Sequence, residues 1–486
     1  MARETRAEIE VTQRSAFDRW IVLWIAVGCA LRLTGLGVHS LWYDELASID
    51  IALAADPIAV LRRDFHPPLY YFVIRWWVGL GGQSDVWLRL LPALLSCAAL
   101  ALFAQWAGTV ARSASRAAVA LFAVAPFQVW HGQELRAYPL LEVGVLAALI
   151  GAEHVHRGRT LLGAALVVAG QAVAFGAHYM GAMLFPAIGA IALVLWLTGQ
   201  SSLRRASALV VACAAGIAAW SPFLLANFAA QRSAPWGRPG ILHWRGLVEL
   251  PARQILVENQ SVPQPWLTAL YAVAGVLLAL WWVFIVAALR RREPASLRVL
   301  AVFAGPLLGV LAAVVLLDSG FQPKYVFVAS PATAVMIALG AAAIPRPRVR
   351  TLLGAFVVAG ALLLSLWHKR GNLREDYRSA CAEVEAIWRP GDAVVAISGT
   401  AEPFSSAPLR HYFRDREDVL GSVVSESDIA EVVSRIQIEK RRLHVIYREA
   451  DYAVGPLNSV RDSLTKVEEG PNRFRIVRSL WQSLPR

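Results

Sequence analysis

Charge is scarce in this chain. Asp, Glu, Lys and Arg supply 17% of its 486 residues while 57% are hydrophobic, and the mean hydropathy of +0.49 excludes an ordinary soluble domain. Lysine is rare even among the charged residues. Cysteine is scarce as well: Cys29, Cys97 and Cys213 lie in apolar segments and Cys381 lies beyond the last of them, so neither a disulfide framework nor a CxxC metal site is expected. No small-residue cleavage site followed by a polar mature sequence appears near the start, and the first apolar block begins only near Trp20, after a charged lead. That block reads as a retained span rather than a cleaved signal.

What is present is apolar blocks near bilayer length. They run from Trp20 to Gly37, Val86 to Gly108, Ala117 to Trp130, Ala137 to Val155, Leu161 to Ala177, Met180 to Leu197, Ala206 to Phe228, Trp266 to Leu289, Leu297 to Leu317, Val326 to Ile344 and Leu352 to Trp367. They predict an all-α polytopic membrane protein of about 11 transmembrane helices. The segment PLYYFVIRWWVGL, from Pro68 to Leu80, is short, opens after Pro-Pro and carries Arg75 in its middle. It is read as an interfacial or re-entrant helix.

The net charge of +12 follows the same topology. Arg112 and Arg116, Arg157 and Arg159, Arg204 and Arg205, Arg290 to Arg292, and Arg346, Arg348 and Arg350 fall in alternate loops, on the side of the Arg-bearing N-terminus. Positive-inside bias then places residues 1–19 in the cytoplasm and leaves the Pro68 segment outside. A basic face for nucleic acid is not needed to explain the charge. Residues 20–367 form the membrane domain, 38–85 its first external loop with interfacial helices, and 368–486 a soluble external domain. In that last part AVVAIS from Ala393 and LHVIYR from Leu443 read as buried strands and SDIAEVVSRIQIEK from Ser427 as a helix, which makes a small α/β domain. It holds no Gly-rich phosphate loop and is given no catalytic role.

The predicted outer face collects the unusual polar residues: Asp44 and Glu45 in SLWYDELAS, Asp64 and His66 in DFHPPLYY, Glu134, Arg136 and Tyr138 in QELRAY, His178 with Tyr179, and Lys324 with Tyr325. Convergence from distant parts of a chain is the behaviour of a site. WYDE and HPPL, in order and on one face, followed by QELRAY, resemble the lipid-dependent GT-C glycosyltransferases, the bacterial group related to protein O-mannosyltransferases and the lipid A aminoarabinose transferase. The resemblance covers roughly residues 15–345 and is strongest from Trp42 to Leu91.

That resemblance implies an enzyme of the inner membrane that transfers a monosaccharide, with inversion, from a polyprenyl-phosphate-linked sugar donor to an external lipid or glycan acceptor. Asp44 matches the family's catalytic aspartate, and a carboxylate that takes the acceptor's proton suits a poor hydroxyl nucleophile. Arg136, Lys324 and His66 are candidates to meet the charge of the departing phosphate. The remaining candidates, Glu45, Asp64, Glu134, Tyr138, His178, Tyr179 and Tyr325, are assigned to substrate binding. His66 stands where the aminoarabinose transferase has lysine, which leaves its partner open among phosphate, sugar and metal. No metal ligand is assigned, although a divalent ion is compatible with Asp, His and Glu on one face.

Plainer roles are open to each residue. Asp44 and Glu45 would cap a helix beginning at Leu46, Asp64 and His66 would form a turn before Pro67, and Glu134 and Arg136 would neutralise each other. His178 and Tyr179 would be interfacial anchors, and Lys324 would snorkel to lipid headgroups. The rival functions are a protein O-glycosyltransferase, a transporter or flippase, for which no internal repeat is found, and an envelope scaffold.

Overall fold

The structure, a computed structural model, describes residues 18–61, 66–232, 244–256, 266–317, 323–370, 375–397, 407–413, 419–423, 426–448, 460, 464–469 and 476–483. It divides into two compact units. The first comprises Met1–Thr34, Ile58–Val73 and Arg89–Lys369; the second comprises Gly35–Pro57, Ile74–Leu88 and Arg370–Arg486.

The first unit is helical. In lipid every backbone polar group must find its partner inside the segment, which leaves the helix as the spanning element for apolar blocks of this length. Among the described residues eight helices are long and apolar enough to cross a membrane: Asp85–Val110, Tyr138–His156, Thr160–Ala177, Tyr179–Leu197, Leu267–Arg291, Pro294–Leu316, Tyr325–Ala342 and Pro347–His368. The other three expected spans are shorter or interrupted. Arg19–Leu33 has 15 residues, opened by the Asp18 carboxylate accepting from Trp20 N–H. The Ala117–Trp130 block breaks at Ala125, whose ψ of 120° is the extended backbone that Pro126 imposes on its predecessor. It becomes Ser115–Val124 and Pro126–Gly132. The Ala206–Phe228 block divides into Leu203–Ala218 and Ser221–Arg232, with Pro222 in the first turn of the second helix. The Pro68 segment forms Leu69–Gly81, and its 13 residues fall short of the about 20 that a crossing requires.

Small residues let the central helices approach closely. A Cβ added at Gly170 would lie 2.5 Å from the Gly144 carbonyl oxygen, and one at Gly163 would lie 2.5 Å from that of Gly151. Helices in lipid pack through such backbone approaches because burial of apolar surface no longer drives them together. Arg32 is wholly buried in this unit. Its guanidinium donates to Ser96 Oγ (2.8 Å) and to the carbonyls of Gly28 (2.9 Å), Ala123 (2.8 Å) and Phe122 (3.3 Å). These bonds tie the first helix to the Ser115–Val124 helix, so this buried charge is structural.

The second unit contains a five-stranded mixed sheet: β1 (Ala393–Ile397), β2 (Val419–Val423), β3 (Arg442–Arg448), β4 (Leu464–Glu469) and β5 (Ile476–Ser483), in the order β2-β1-β3-β5-β4. β1 runs parallel to β2 and β3, and β5 runs antiparallel to β3 and β4. The runs AVVAIS and LHVIYR form β1 and β3, and the expected helix forms Glu426–Glu439. Ala393, Val395, Val433, Ile436, Leu443 and Val445 meet in its core.

A polar knot sits beside that core. Asp392 accepts from Arg442 Nε (2.8 Å), from Arg389 N–H (2.9 Å) and from His444 Nε2 (2.9 Å), and His444 is wholly buried with its ring stacked on Trp388. Burial pushes the His444 imidazole below its ordinary value and the Asp392 bond only partly offsets it. Burial would raise the Asp392 carboxyl, but the bonds from Arg442 and His444 outweigh it and hold that group low. Between the ordinary histidine value near 6.5 and the lower native one, the unfolded chain binds a proton that the native domain does not. Stability from His444 is therefore complete above that window and falls as pH drops through it, with Asp392 adding a loss at still lower pH. The full chain should unfold at a lower temperature at pH 5 than at pH 7.5, and His444→Gln should shrink the difference. Thermal unfolding of both proteins at the two pH values checks this, and a pH-independent midpoint for the unsubstituted chain would contradict it.

Candidate active site

In the first unit, four of the expected site residues come together. His66 enters just before the buried Pro67 and Pro68, which set an extended approach to the Leu69–Gly81 helix. Arg136 Nη2 donates to His66 Nε2 at 3.3 Å. The acceptor role of Nε2 places the proton of the neutral ring on Nδ1. The His66 ring meets the His178 ring edge to face at 5.2 Å, and Tyr138 stacks on His178 at 5.8 Å. His178 caps the 3₁₀ turn Tyr179–Met183 by accepting Met180 N–H at Nδ1 (3.1 Å), which fixes its ring and leaves Nε2 as the donor in the neutral form.

Two residues absent from the sequence expectations complete this cluster. His131 lies 4.6 Å from the Tyr138 ring and Phe327 stacks on Tyr138 at 5.3 Å. His131 Nδ1 also donates to Glu134 Oε2 at 2.7 Å, and Glu134 is buried. The sequence signal for His131 was its i,i+3 spacing from Glu134 across the end of a short helix. Phe327 carried no signal of its own. Its turn, Pro323–Ala329, is held from below: Gln254 Nε2 donates to the Val326 carbonyl at 2.7 Å, and Thr333 Oγ1 donates to Gln254 Oε1. Gln128 Nε2 donates to Ser330 Oγ (3.1 Å), and Ser330 in turn donates to Glu142 Oε1 (3.3 Å). A buried network with its members paired in this way gives the rings above it a single arrangement.

The other candidates of this unit are placed differently. Tyr179 is half-buried with its ring against Phe175 at 5.7 Å, and Tyr325 is half-buried in the Pro323–Ala329 turn. Asp64 and the Lys324 side chain lie outside the described residues.

In the second unit, Asp44 and Glu45 occupy the first turn of the 11-residue helix Tyr43–Leu53, eight of whose residues are buried. Glu45 is completely buried, and its Oε2 accepts Trp42 N–H at 3.1 Å. That is the returning arm of a capping box, so Glu45 serves here as a helix cap. Asp44 keeps partial exposure, and its backbone carbonyl accepts Ser48 Oγ–H at 2.7 Å. The helix's other partly exposed carboxylate, Asp50, is bound to the Arg410 guanidinium, with Nε at 3.1 Å. Burial raises the Asp50 carboxyl above its ordinary value, opposed by Arg410. The two neighbouring carboxylates of WYDE thus separate by environment: one serves the helix and one keeps access to water.

Among the described residues no three His, Cys, Asp or Glu side chains are grouped to hold a metal ion. The arrangement in the first unit offers a cation, hydrogen-bonding imidazoles and aromatic faces, a combination suited to an anionic group beside a sugar.

No protein-family model and no curated protein sequence matches the chain. Solved structures do. ArnT from Cupriavidus metallidurans in the apo state is 15% identical with a TM-score of 0.60, covering 96% of this chain and 98% of that one. ArnT from the same organism bound to undecaprenyl phosphate is 13% identical, with a TM-score of 0.55 and the same coverage. The oligosaccharyltransferase AglB from Archaeoglobus fulgidus, in complex with an inhibitory peptide and a dolichol-phosphate, is 11% identical with a TM-score of 0.53, covering 94% of this chain and 73% of that one. At these identities the likeness is one of fold. The apolar helices and that likeness together make this chain a multi-pass membrane protein with an ArnT-like fold.

Proposed function

We propose that the protein is an inverting glycosyltransferase of the inner membrane that moves a monosaccharide from a polyprenyl-phosphate carrier to a lipid or glycan acceptor on the outer face. The observation that carries this reading is the cluster in which Arg136 donates to His66 while Tyr138 and His178 stack beside them, on the fold shared with ArnT bound to undecaprenyl phosphate. Three motifs noted in sequence, HPPLYY, QELRAY and the His178 pair, thereby become neighbours.

The roles follow from the chemistry. The acceptor oxygen forms a bond to the anomeric carbon as the bond from that carbon to the carrier phosphate oxygen breaks. The electron pair of the broken bond stays on the phosphate, and the acceptor's proton goes to the Asp44 carboxylate. Arg136 meets the phosphate charge with a guanidinium whose planar donors suit phosphate oxygens, and Lys324 is the second cation assigned to that task. Tyr138, His178 and Phe327 offer faces and donors to a sugar ring. In this reading the N-terminus is cytoplasmic, in keeping with the arginine-bearing loops.

The test is a comparison of the envelope glycolipids and glycans of cells with and without the protein. A glycoconjugate lighter by one monosaccharide in the deleted strain, restored by the gene, is the expected result. Identical glycoconjugates in the two strains would overturn the proposal.

A further inference from the structure

The α/β part of the second unit has no catalytic motif, yet its side chains grip the backbone that leads into the Asp44 helix. A helix begins with N–H groups that its own turns cannot satisfy. Trp42, at the N-cap position, has an indole that donates and cannot accept. Glu45 N–H and Leu46 N–H reach the Trp42 carbonyl at 3.0 and 3.1 Å. Tyr43 N–H is taken by Glu375 Oε2 at 3.2 Å, a residue 332 positions away that is itself buried. A carboxylate at that place also complements the helix dipole.

The approach to the helix is held by the same part of the chain. Leu41 N–H donates to the Tyr412 hydroxyl at 3.1 Å, and that hydroxyl donates to Asp85 Oδ2 at 3.2 Å. Arg378 donates its backbone N–H to Ser40 Oγ (3.0 Å) and its guanidinium to the carbonyls of Gly37 (3.0 Å) and Val38 (2.9 Å). At the far end Arg75 Nη1 donates to the carbonyls of Ala54 (2.8 Å) and Ala52 (3.3 Å), where the helix runs out of internal donors. Most of these bonds go to main-chain atoms. They fix where the helix stands and not which side chains it shows, and the residue directly after the Glu375-held Tyr43 is Asp44.

We infer that Glu375 is a positioning residue for Asp44, and that the C-terminal domain holds the catalytic helix in register through it and Tyr412. The inference rests on the reading of Asp44 as the base. A base displaced by about 1 Å loses on the order of 10²-fold in rate, so a clamp on its helix is a catalytic requirement without touching substrate.

The experiment compares the full-length protein with Glu375→Ala, Glu375→Gln, Tyr412→Phe and Asp44→Asn. Two readouts are hydrogen–deuterium exchange over residues 41–53 and the amount of the glycoconjugate that deletion of the protein removes. Glu375→Ala should raise exchange in 41–53 by about ten-fold, the scale of a lost helix cap, with strands β1 and β3 unchanged, and should lower the glycoconjugate. Glu375→Gln keeps an acceptor oxygen and should recover most of both. Tyr412→Phe should reproduce the alanine pattern. Unaltered exchange in Glu375→Ala, or exchange rising equally in β1 and β3, would overturn the positioning role. Glycoconjugate retained in Asp44→Asn would overturn the reading beneath it, and that result is independent of the exchange data.

Discussion

Under the proposed function, Asp44→Asn should lower glycosyl transfer by about 10²- to 10⁴-fold, the contribution of a positioned general base. The substitution keeps the size of the side chain and removes its negative charge and its ability to take a proton. It leaves the helix intact, because Ser48 bonds to the backbone carbonyl of residue 44 and the capping contacts belong to Glu45 and Glu375. The companion variant is Glu45→Gln. Its amide oxygen still accepts Trp42 N–H, so transfer stays within a few-fold of the unsubstituted protein. Measured glycoconjugate, normalised to protein in the same membranes, separates the two. Full transfer by Asp44→Asn, or equal losses in both variants, would remove Asp44 from the mechanism.

Arg136→Met has the second largest expected effect, a fall of about 10²- to 10³-fold, the scale seen when one preorganised donor to a developing charge is lost. Methionine preserves much of the aliphatic stem and removes the donors, including the one that Arg136 gives to His66 Nε2. Arg136→Lys should recover only part of the rate, since an ammonium cannot meet His66 and a phosphate in the planar geometry of guanidinium. Kinetics in membrane vesicles would follow transfer from an added polyprenyl-phosphate sugar. A lysine variant as active as the unsubstituted chain would show that charge alone matters, and an active methionine variant would place the phosphate contact elsewhere.

Much of the membrane architecture was legible because its cause is local. An apolar stretch of sufficient length has no alternative to the helix in lipid, and eight of the blocks picked out by composition form helices long enough to cross. The strands at Ala393 and Leu443 were legible for a similar reason, as short apolar runs in a polar stretch of sequence. Hydropathy alone missed the interruption at Ala125, because Ala and Pro keep a window apolar while Pro126 changes the backbone before it.

The candidate site was legible as residue types and not as contacts. His66, Arg136, Tyr138 and His178 could be named from their polarity at the ends of apolar blocks. That Arg136 reaches His66, that His131 and Phe327 flank Tyr138, and that Glu45 turns inward while Asp44 does not, are matters of packing. The C-terminal domain shows the gap most clearly. Composition marked residues 368–486 as separate and gave no reason to link them with the first loop, yet the compact second unit joins Arg370–Arg486 with Gly35–Pro57 and Ile74–Leu88 of that loop.

Class and span-forming blocks thus came from composition and from neighbours a few residues apart, where backbone hydrogen bonding and hydrophobic pattern act. The partner of Tyr43 N–H came from 332 residues away. No local preference encodes such a bond, because it forms only when the folded chain brings an unsatisfied donor and a buried carboxylate to the same place.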